Sequence, residues 1–331
     1  MKKFFLGLFV ALLPLGVLAT NTTTPQAINQ DTTWHIKNTL KHIGLTSSVH
    51  TITHSQIDGL LEVSLDGGES FLITPDAHYI INGTPEINPS FVQPISPKPA
   101  KRQPSGTPID PDHQKALYAN LRAFESIDLD TVFFHTSIEG LLWAVADNGT
   151  PFLISDDGRY VIGADIGVIE HGKLIGLDDE FETHKNRHTL SMLDEATLTI
   201  YPAKKQRAVL YVATDIHCPY CRILHQKIPE LNAKGITIKT IGYPVYDESF
   251  VPMTQIWCQQ DNAKRAGLLN LAMKGLNATQ SCRDKDSLIS KNIALARPLT
   301  IMATPAIYNE HGEVFTANIS VENLMDFLKL K

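Results

Sequence analysis

Residues 57–81 occur twice. At an offset of 81, Ile57-Asp58-Gly59-Leu60-Leu61 returns as Ile138-Glu139-Gly140-Leu141-Leu142. Asp66, Gly68, Phe71, Leu72, Ile73, Asp76, Tyr79 and Ile81 return as Asp147, Gly149, Phe152, Leu153, Ile154, Asp157, Tyr160 and Ile162, so twelve of 25 aligned positions are identical. Agreement that dense is a duplication, and it makes the N-terminal half two copies of one small unit. Upstream of each copy, Ile36, Leu40 and Ile43, and equally Leu117, Leu121 and Phe124, follow helical i, i+4, i+7 spacing. Asp66-Gly67-Gly68 and Asp147-Asn148-Gly149 read as hairpin turns between apolar runs rich in Val, Ile, Phe and Tyr. Each unit is therefore expected to be a short helix followed by an antiparallel meander, over 31–88 and 112–172. A unit of about 55 residues buries little surface alone. It needs a partner, either its own repeat or another chain.

Seven prolines between residues 89 and 111 make an extended, semi-rigid linker. Residues 1–19 have the form of a signal peptide: Lys2 and Lys3, an apolar stretch from Phe4 to Leu18, and Val17 and Ala19 at a small-residue cleavage site. Its loss removes two lysines and takes the formal charge from −6 to −8. The short basic n-region looks bacterial, so the expected destination is the periplasm, where cysteine pairs persist as disulfides or work as redox groups. The Asn-x-Ser/Thr triplets at Asn21, Asn82, Asn148, Asn277 and Asn318 then carry no glycans. A pI near 6.1 gives no reason to expect nucleic acid, and a mean hydropathy of −0.07 excludes a polytopic membrane protein. Four cysteines are too few for a disulfide-dense scaffold.

A polar stretch near 173–198, with the charged run Asp178 to His188, reads as a solvated connecting helix. From Ala208 the pattern becomes α/β. Ala208 to Thr214 is a continuous apolar run, as for a strand buried on both faces. Cys218-Pro219-Tyr220-Cys221 opens a helix that Pro229 is expected to kink or end. A strand over 236–241, helices near 252–274 and 286–296, Thr304-Pro305, strands over 306–308 and 314–316 and a last helix from Ser320 follow. A cysteine at a helix N-terminus has its thiolate favoured by the unsatisfied N–H groups and the dipole. Cys218 is thus expected to be the exposed nucleophile and Cys221, one turn on, the sheltered resolving thiol. His217 stabilises the thiolate if protonated, whereas an exposed bystander is the other reading. His225 reads as a packed or surface residue. The rival for the CxxC is a zinc half-site completed by Cys258 and Cys282, whose 24-residue separation lacks a second knuckle. Cys258 and Cys282 themselves read as a structural disulfide, with a second redox pair or free thiols as alternatives. No cofactor or metal is expected.

The order of elements in this C-terminal part is the thioredoxin plan, in which a proline at Pro305 is cis and faces the CxxC. The run AVLYVATDIHCPYCRILHQKIPELNAKGITIKTIGYP, with Ile256-Trp257-Cys258, Ser281-Cys282 and Ala303-Thr304-Pro305-Ala306, resembles the DsbC/DsbG family of periplasmic disulfide isomerases. The polar connecting helix and FLISDDGRYVIG resemble that family's hinge helix and dimerisation domain. The resemblance implies an α/β fold: a thioredoxin-like domain with a helical insertion over 199–331, preceded by two small α+β dimerisation-like units. It implies a V-shaped homodimer whose uncharged cleft receives misfolded periplasmic or secreted disulfide proteins. In it Cys218 attacks a substrate disulfide, Cys221 resolves the mixed disulfide, Thr304-Pro305 modulates the pair and a DsbD-type membrane reductase keeps Cys218 reduced. Cys258–Cys282 corresponds to the structural disulfide of the DsbC branch, whereas Pro219-Tyr220 is the DsbG dipeptide. Val212 stands where thioredoxins themselves carry a buried aspartate. The leading function is thiol–disulfide isomerase or reductase. The competitors are a DsbA-like dithiol oxidase, monomeric if the repeats pair within one chain, and a periplasmic chaperone or assembly factor for a secretion or conjugation system.

Overall fold

The computed structural model describes residues 27–93, 95, 103–122, 124, 127, 129–176, 178–276, 282 and 287–331. The expected signal segment 1–19 lies outside them. Among the described residues no helix is long and apolar enough to cross a membrane.

The first repeat starts with α1 (Gln30–His42), where the Asn29 side chain caps the Asp31 N–H and Ile36 and Leu40 face inward. The strands β1 (Val49–His54), β2 (Leu61–Leu65), β3 (Ser70–Ile73) and β4 (Tyr79–Ile81) form the expected meander, and the short β5 (Glu86–Ile87) leaves it. The second repeat is α2 (Pro111–Ala119), β6 (Phe134–His135), β7 (Leu141–Val145), β8 (Pro151–Ser155) and β9 (Tyr160–Ile162), followed by β10 (Ile166–Glu170) and β11 (Lys173–Gly176). One expectation fails here. Helix α2 stops at Ala119, so Leu121 and Phe124 lie beyond it, although Leu121 stays buried beside Leu117. Asn120 ends the helix because the linker holds it: its Oδ1 accepts from the Val92 N–H and its Nδ2 donates to the Gln93 carbonyl.

The two repeats exchange strands. The strand that leaves each meander pairs with the last strand of the other one. The sheets run β1-β2-β3-β4-β10-β11 and β5-β9-β8-β7-β6. Strand β10 pairs with β4 through Gly167↔Ile80 and Val168↔Tyr79. Strand β5 pairs with β9 through Glu86↔Val161 and Ile87↔Tyr160. Adding 81 to the first-repeat residue of each pair gives the second-repeat residue of the matching pair in the other sheet, so the exchange is pseudo-two-fold to the residue. Ile57, Leu60, Leu72 and Ile81 of the first repeat share one buried cluster with Phe134, Leu141, Trp143 and Leu153 of the second. The partner that each unit needs is the other unit of the same chain.

The connecting helix α3 (Asp179–Met192) is solvated on one face only, with Asp179, Glu180 and Arg187 exposed, whereas its charge pattern suggested a wholly solvated helix. Phe181, Lys185, Asn186, Thr189 and Leu190 are buried. Its Asp178 cap accepts from Tyr79 Oη at 3.3 Å and from Ser137 Oγ, one group from each repeat. Lys185, fully buried, pairs with Glu182 at 3.0 Å, lies 4.7 Å over the Trp143 ring and donates to the Pro298 carbonyl at 2.6 Å. Charges can be buried when each is paired and hydrogen-bonded in this way. Gly106 and Gly312 press against the helix backbone from opposite sides. At φ +76° and +88°, a Cβ on either would overlap a carbonyl oxygen of α3. Arg297 reaches Asp147 in the second repeat's hairpin at 2.9 Å.

The C-terminal domain contains β12 (Thr199–Tyr201), β13 (Ala208–Thr214), α4 (Pro219–Ala233), β14 (Ile236–Gly242), α5 (Asp247–Ile256), α6 (Asn262–Met273), α7 (Ile289–Ala296), β15 (Ala306–Asn309) and α8 (Val321–Phe327). Its sheet runs β12-β14-β13-β15, with β13 and β14 parallel. Three expectations are corrected. Helix α4 continues through Pro229, losing one N–H but still burying Ile228 and Leu231. The stretch near 252–274 is two helices, divided where the Trp257 indole turns inward to the Thr197 carbonyl at 2.9 Å and Asp261 caps α6. The strand expected over 314–316 is reduced to one bridge, Tyr308↔Val314.

Candidate functional site

The thiols sit where β13 ends and α4 begins. Cys218 is the N-cap residue of α4 and Pro219 the first helical residue, where a missing N–H costs nothing. No side chain caps this helix, so its first-turn N–H groups are free of a capping side chain and available to a thiolate at Cys218. Cys218 is not exposed, contrary to expectation. It is 3% accessible and Cys221 2%, both within a cluster that includes Ile216, Met253, Ile256 and Trp257. The two thiols differ in their bonding instead. Cys218 Sγ donates to the Thr304 carbonyl at 3.0 Å, and Cys221 Sγ accepts from the Asp215 N–H at 3.5 Å. Burial pushes the Cys221 thiol up from its usual range, hydrogen bonds from the Asp215 N–H and Thr214 oppose this, and neighbouring Cys218 adds to it. Cys221 is thus held as a neutral thiol, suited to act second.

Thr304-Pro305 is cis and leads into β15, beside β13. The structure therefore brings Cys218, Cys221, Thr304 and Pro305 together. Tyr220 is 64% exposed on the rim of the pair. Cys258 and Cys282 are bonded to each other and close a separate loop. They cannot complete a zinc set with Cys218 and Cys221, and no cluster of three metal-ligating side chains occurs among the described residues. His225 packs edge-on against Tyr201, with Nε2 2.7 Å from Asn270 Oδ1. Burial lowers its pKa.

Sequence reasoning missed Asp215 and Ser249. Asp215 is fully buried. Its Oδ1 accepts from the His217 N–H at 2.7 Å and from Ser249 Oγ at 2.5 Å, and its Oδ2 accepts from the N–H groups of Val245 and Tyr246 at 2.7 and 3.1 Å. One carboxylate thus ties the loop before Cys218 to the start of α5. The Asp-x-His spacing, which allows a carboxylate to bond the N–H two residues on, was the available signal. Nothing local marks Ser249.

Residues 194–329 match the model for a thioredoxin-like domain, and residues 20–85 match the disulfide bond isomerase protein N-terminal domain. The thiol:disulfide interchange protein DsbC of Pasteurella multocida is 28% identical over 58% of this chain and 81% of its own length. That of Haemophilus influenzae is 26% identical over 63% of this chain and 88% of its own. Among solved structures, Proteus mirabilis ScsC in a transitional conformation aligns with a TM-score of 0.36 and 17% identity, over 44% of this chain and 77% of that one.

Proposed function

For a chain that belongs to the DsbC family of thiol:disulfide interchange proteins, we propose a periplasmic isomerase or reductase of protein disulfides with one active site per particle. The observation that carries the reading is the placement of Cys218 at the N-cap of α4, against the Thr304 carbonyl and beside a neutral Cys221. Cys218, as thiolate, attacks a substrate disulfide and forms a mixed disulfide. Cys221 then attacks Cys218 and frees the reduced substrate, or the substrate's own thiol displaces Cys218 and leaves a rearranged disulfide. Pro219 sets the helix start, and Tyr220 lies beside the thiols. Thr304-Pro305 borders the thiol pair, and the adjacent backbone offers an extended substrate a pairing edge. Exposed Tyr220, Tyr246, Phe250, Val251 and Met302 supply apolar surface for an unfolded polypeptide. Reduced Cys218 is regenerated by a DsbD-type membrane reductase.

The resemblance gave the N-terminal domain a dimerising role between chains. Here two such units already dimerise within one chain, through both exchanged strands. That observation favours a second reading, the dithiol oxidase, which needs no shared cleft. The test is reactivation of a scrambled multi-disulfide protein. The proposal expects activity with reduced enzyme and a catalytic amount of small thiol, abolished by Cys218→Ala. Activity only with oxidised enzyme on a reduced substrate supports the oxidase. Aggregation suppressed equally by Cys218→Ala supports the chaperone.

A further inference from the structure

Met302 is 92% exposed, more than any other large apolar side chain among the described residues. The chain fixes it there from both sides. Ile301 before it is buried in a cluster with Leu299, Ala213 and Tyr308, and the Thr304 carbonyl after it accepts from Cys218 Sγ at 3.0 Å. That bond and ordinary chain dimensions put the Met302 Cα within about 13 Å of the Cys218 sulfur. An extended polypeptide covers that distance in about four residues. Met302 is therefore in reach of the residues that flank an attacked substrate cysteine. Met253 and Met273 are buried, Met325 is half-buried, and the other exposed methionine, Met192, ends α3. A thioether held in solvent beside a redox thiol is open to two-electron oxidants, which convert it to a polar, chiral sulfoxide.

We propose that Met302 is an oxidation site whose sulfoxide weakens substrate docking at Cys218. The oxidant is a hypohalous acid. The thioether sulfur gives an electron pair to the halogen, and hydroxide leaves. The oxygen of a water molecule then bonds to sulfur, and the halide departs with that electron pair. The two water protons are released, one of them onto the hydroxide. Sulfur is oxidised by two electrons and the halogen is reduced to halide. The docking half rests on the thiol–disulfide exchange reading above. The sulfoxide removes apolar surface from the rim of the site and leaves both thiols unchanged. Methionine sulfoxide reductases restore the thioether.

The test treats the full chain with one equivalent of hypochlorite in its Cys218–Cys221 disulfide form, so that no active-site thiol competes. Brief dithiothreitol then frees the thiols and leaves the sulfoxide in place. Peptide masses are expected to show about tenfold more sulfoxide at Met302 than at Met253 or Met273. Exchange with a scrambled multi-disulfide protein is expected to slow about fivefold, the loss of less than one side chain's burial. Iodoacetamide alkylation of Cys218 is expected to stay as it was. Methionine sulfoxide reductases for both epimers should restore the exchange rate. Met302→Leu, compared with itself before and after treatment, should lose nothing. Sulfoxide spread evenly over all methionines, an unchanged rate with Met302 fully oxidised, an equal loss in Met302→Leu or slowed alkylation would each overturn the proposal. An untreated chain without exchange activity would overturn the thiol–disulfide reading and the docking half with it, while the sulfoxide yield still decides the site.

Discussion

Deleting the first repeat should make the shortened chain pair with a second copy of itself. A chain beginning at residue 103 keeps the second meander, β10, β11, α3 and the catalytic domain. It loses β4, the partner of β10, and β5, the partner of β9. It also loses Ile57, Leu60, Leu72 and Ile81 from the cluster that covers Phe134, Leu141, Trp143 and Leu153. Fully burying a side chain of that size contributes about 1.5–3 kcal/mol, so four contribute about 6–12 kcal/mol. A whole domain is stable by only about 5–15 kcal/mol, and an exposed face of that size is not sustained. The exchange is two-fold to the residue, so a second copy can restore it. Gly167 would pair with Val161, and Val168 with Tyr160, across chains. Light scattering on the eluting protein should give one chain mass for residues 20–331 and two for 103–331. A folded monomer at 103–331, or a dimer of the full chain that persists on dilution, would refute this reasoning.

Other expectations concern the strut, the disulfide and the tyrosines. Gly312→Ala would drive a Cβ into the α3 backbone at a φ of +88°, which disfavours any L side chain by about 1–2 kcal/mol before the overlap is counted. Its melting midpoint should drop by several degrees, and small-angle scattering should show the catalytic domain released from the repeats. Cys258→Ala with Cys282→Ala should lower stability to denaturant by about 3.5 kcal/mol on the chain-entropy estimate for that loop, with Cys218 alkylation unchanged. Burial holds the Tyr118 hydroxyl up to about 12 and raises Tyr201 and Tyr308 as well. Their stabilisation is complete below pH 10, the unfolded value, and is lost as pH rises through 10 toward 12 and beyond, so the denaturation midpoint should fall across that window.

Most of the active-site frame was legible because it is local in sequence. A buried strand, a turn and Cys-Pro-x-Cys fix the start of α4 within about a dozen residues, and the repeat offset located both meanders. The exchange was not legible in its connectivity, since a strand leaving one repeat meets the same register whether the receiving repeat belongs to its own chain or another. Helix α3 was misread because charge was taken for exposure. Lys185 is buried through Glu182, the Trp143 ring and the Pro298 carbonyl, which converge from three separate stretches of chain. Cys218 was expected to be exposed, but the packing of α5 that covers it is a tertiary fact. The Asp215–Ser249 bond depends on the same packing, since Ser249 arrives with α5, 34 residues after Asp215.

The central claim is that Cys218 attacks protein disulfides and Cys221 completes the exchange. Trapping tests it most directly. Reduced Cys221→Ala protein, incubated with a scrambled multi-disulfide substrate and quenched with acid, should carry the substrate on Cys218 as a covalent complex that reductant dissolves. Cys218→Ala should carry none, and wild type only a transient trace. Failure of Cys221→Ala to accumulate a complex, or a complex of equal yield in Cys218→Ala, would contradict the account.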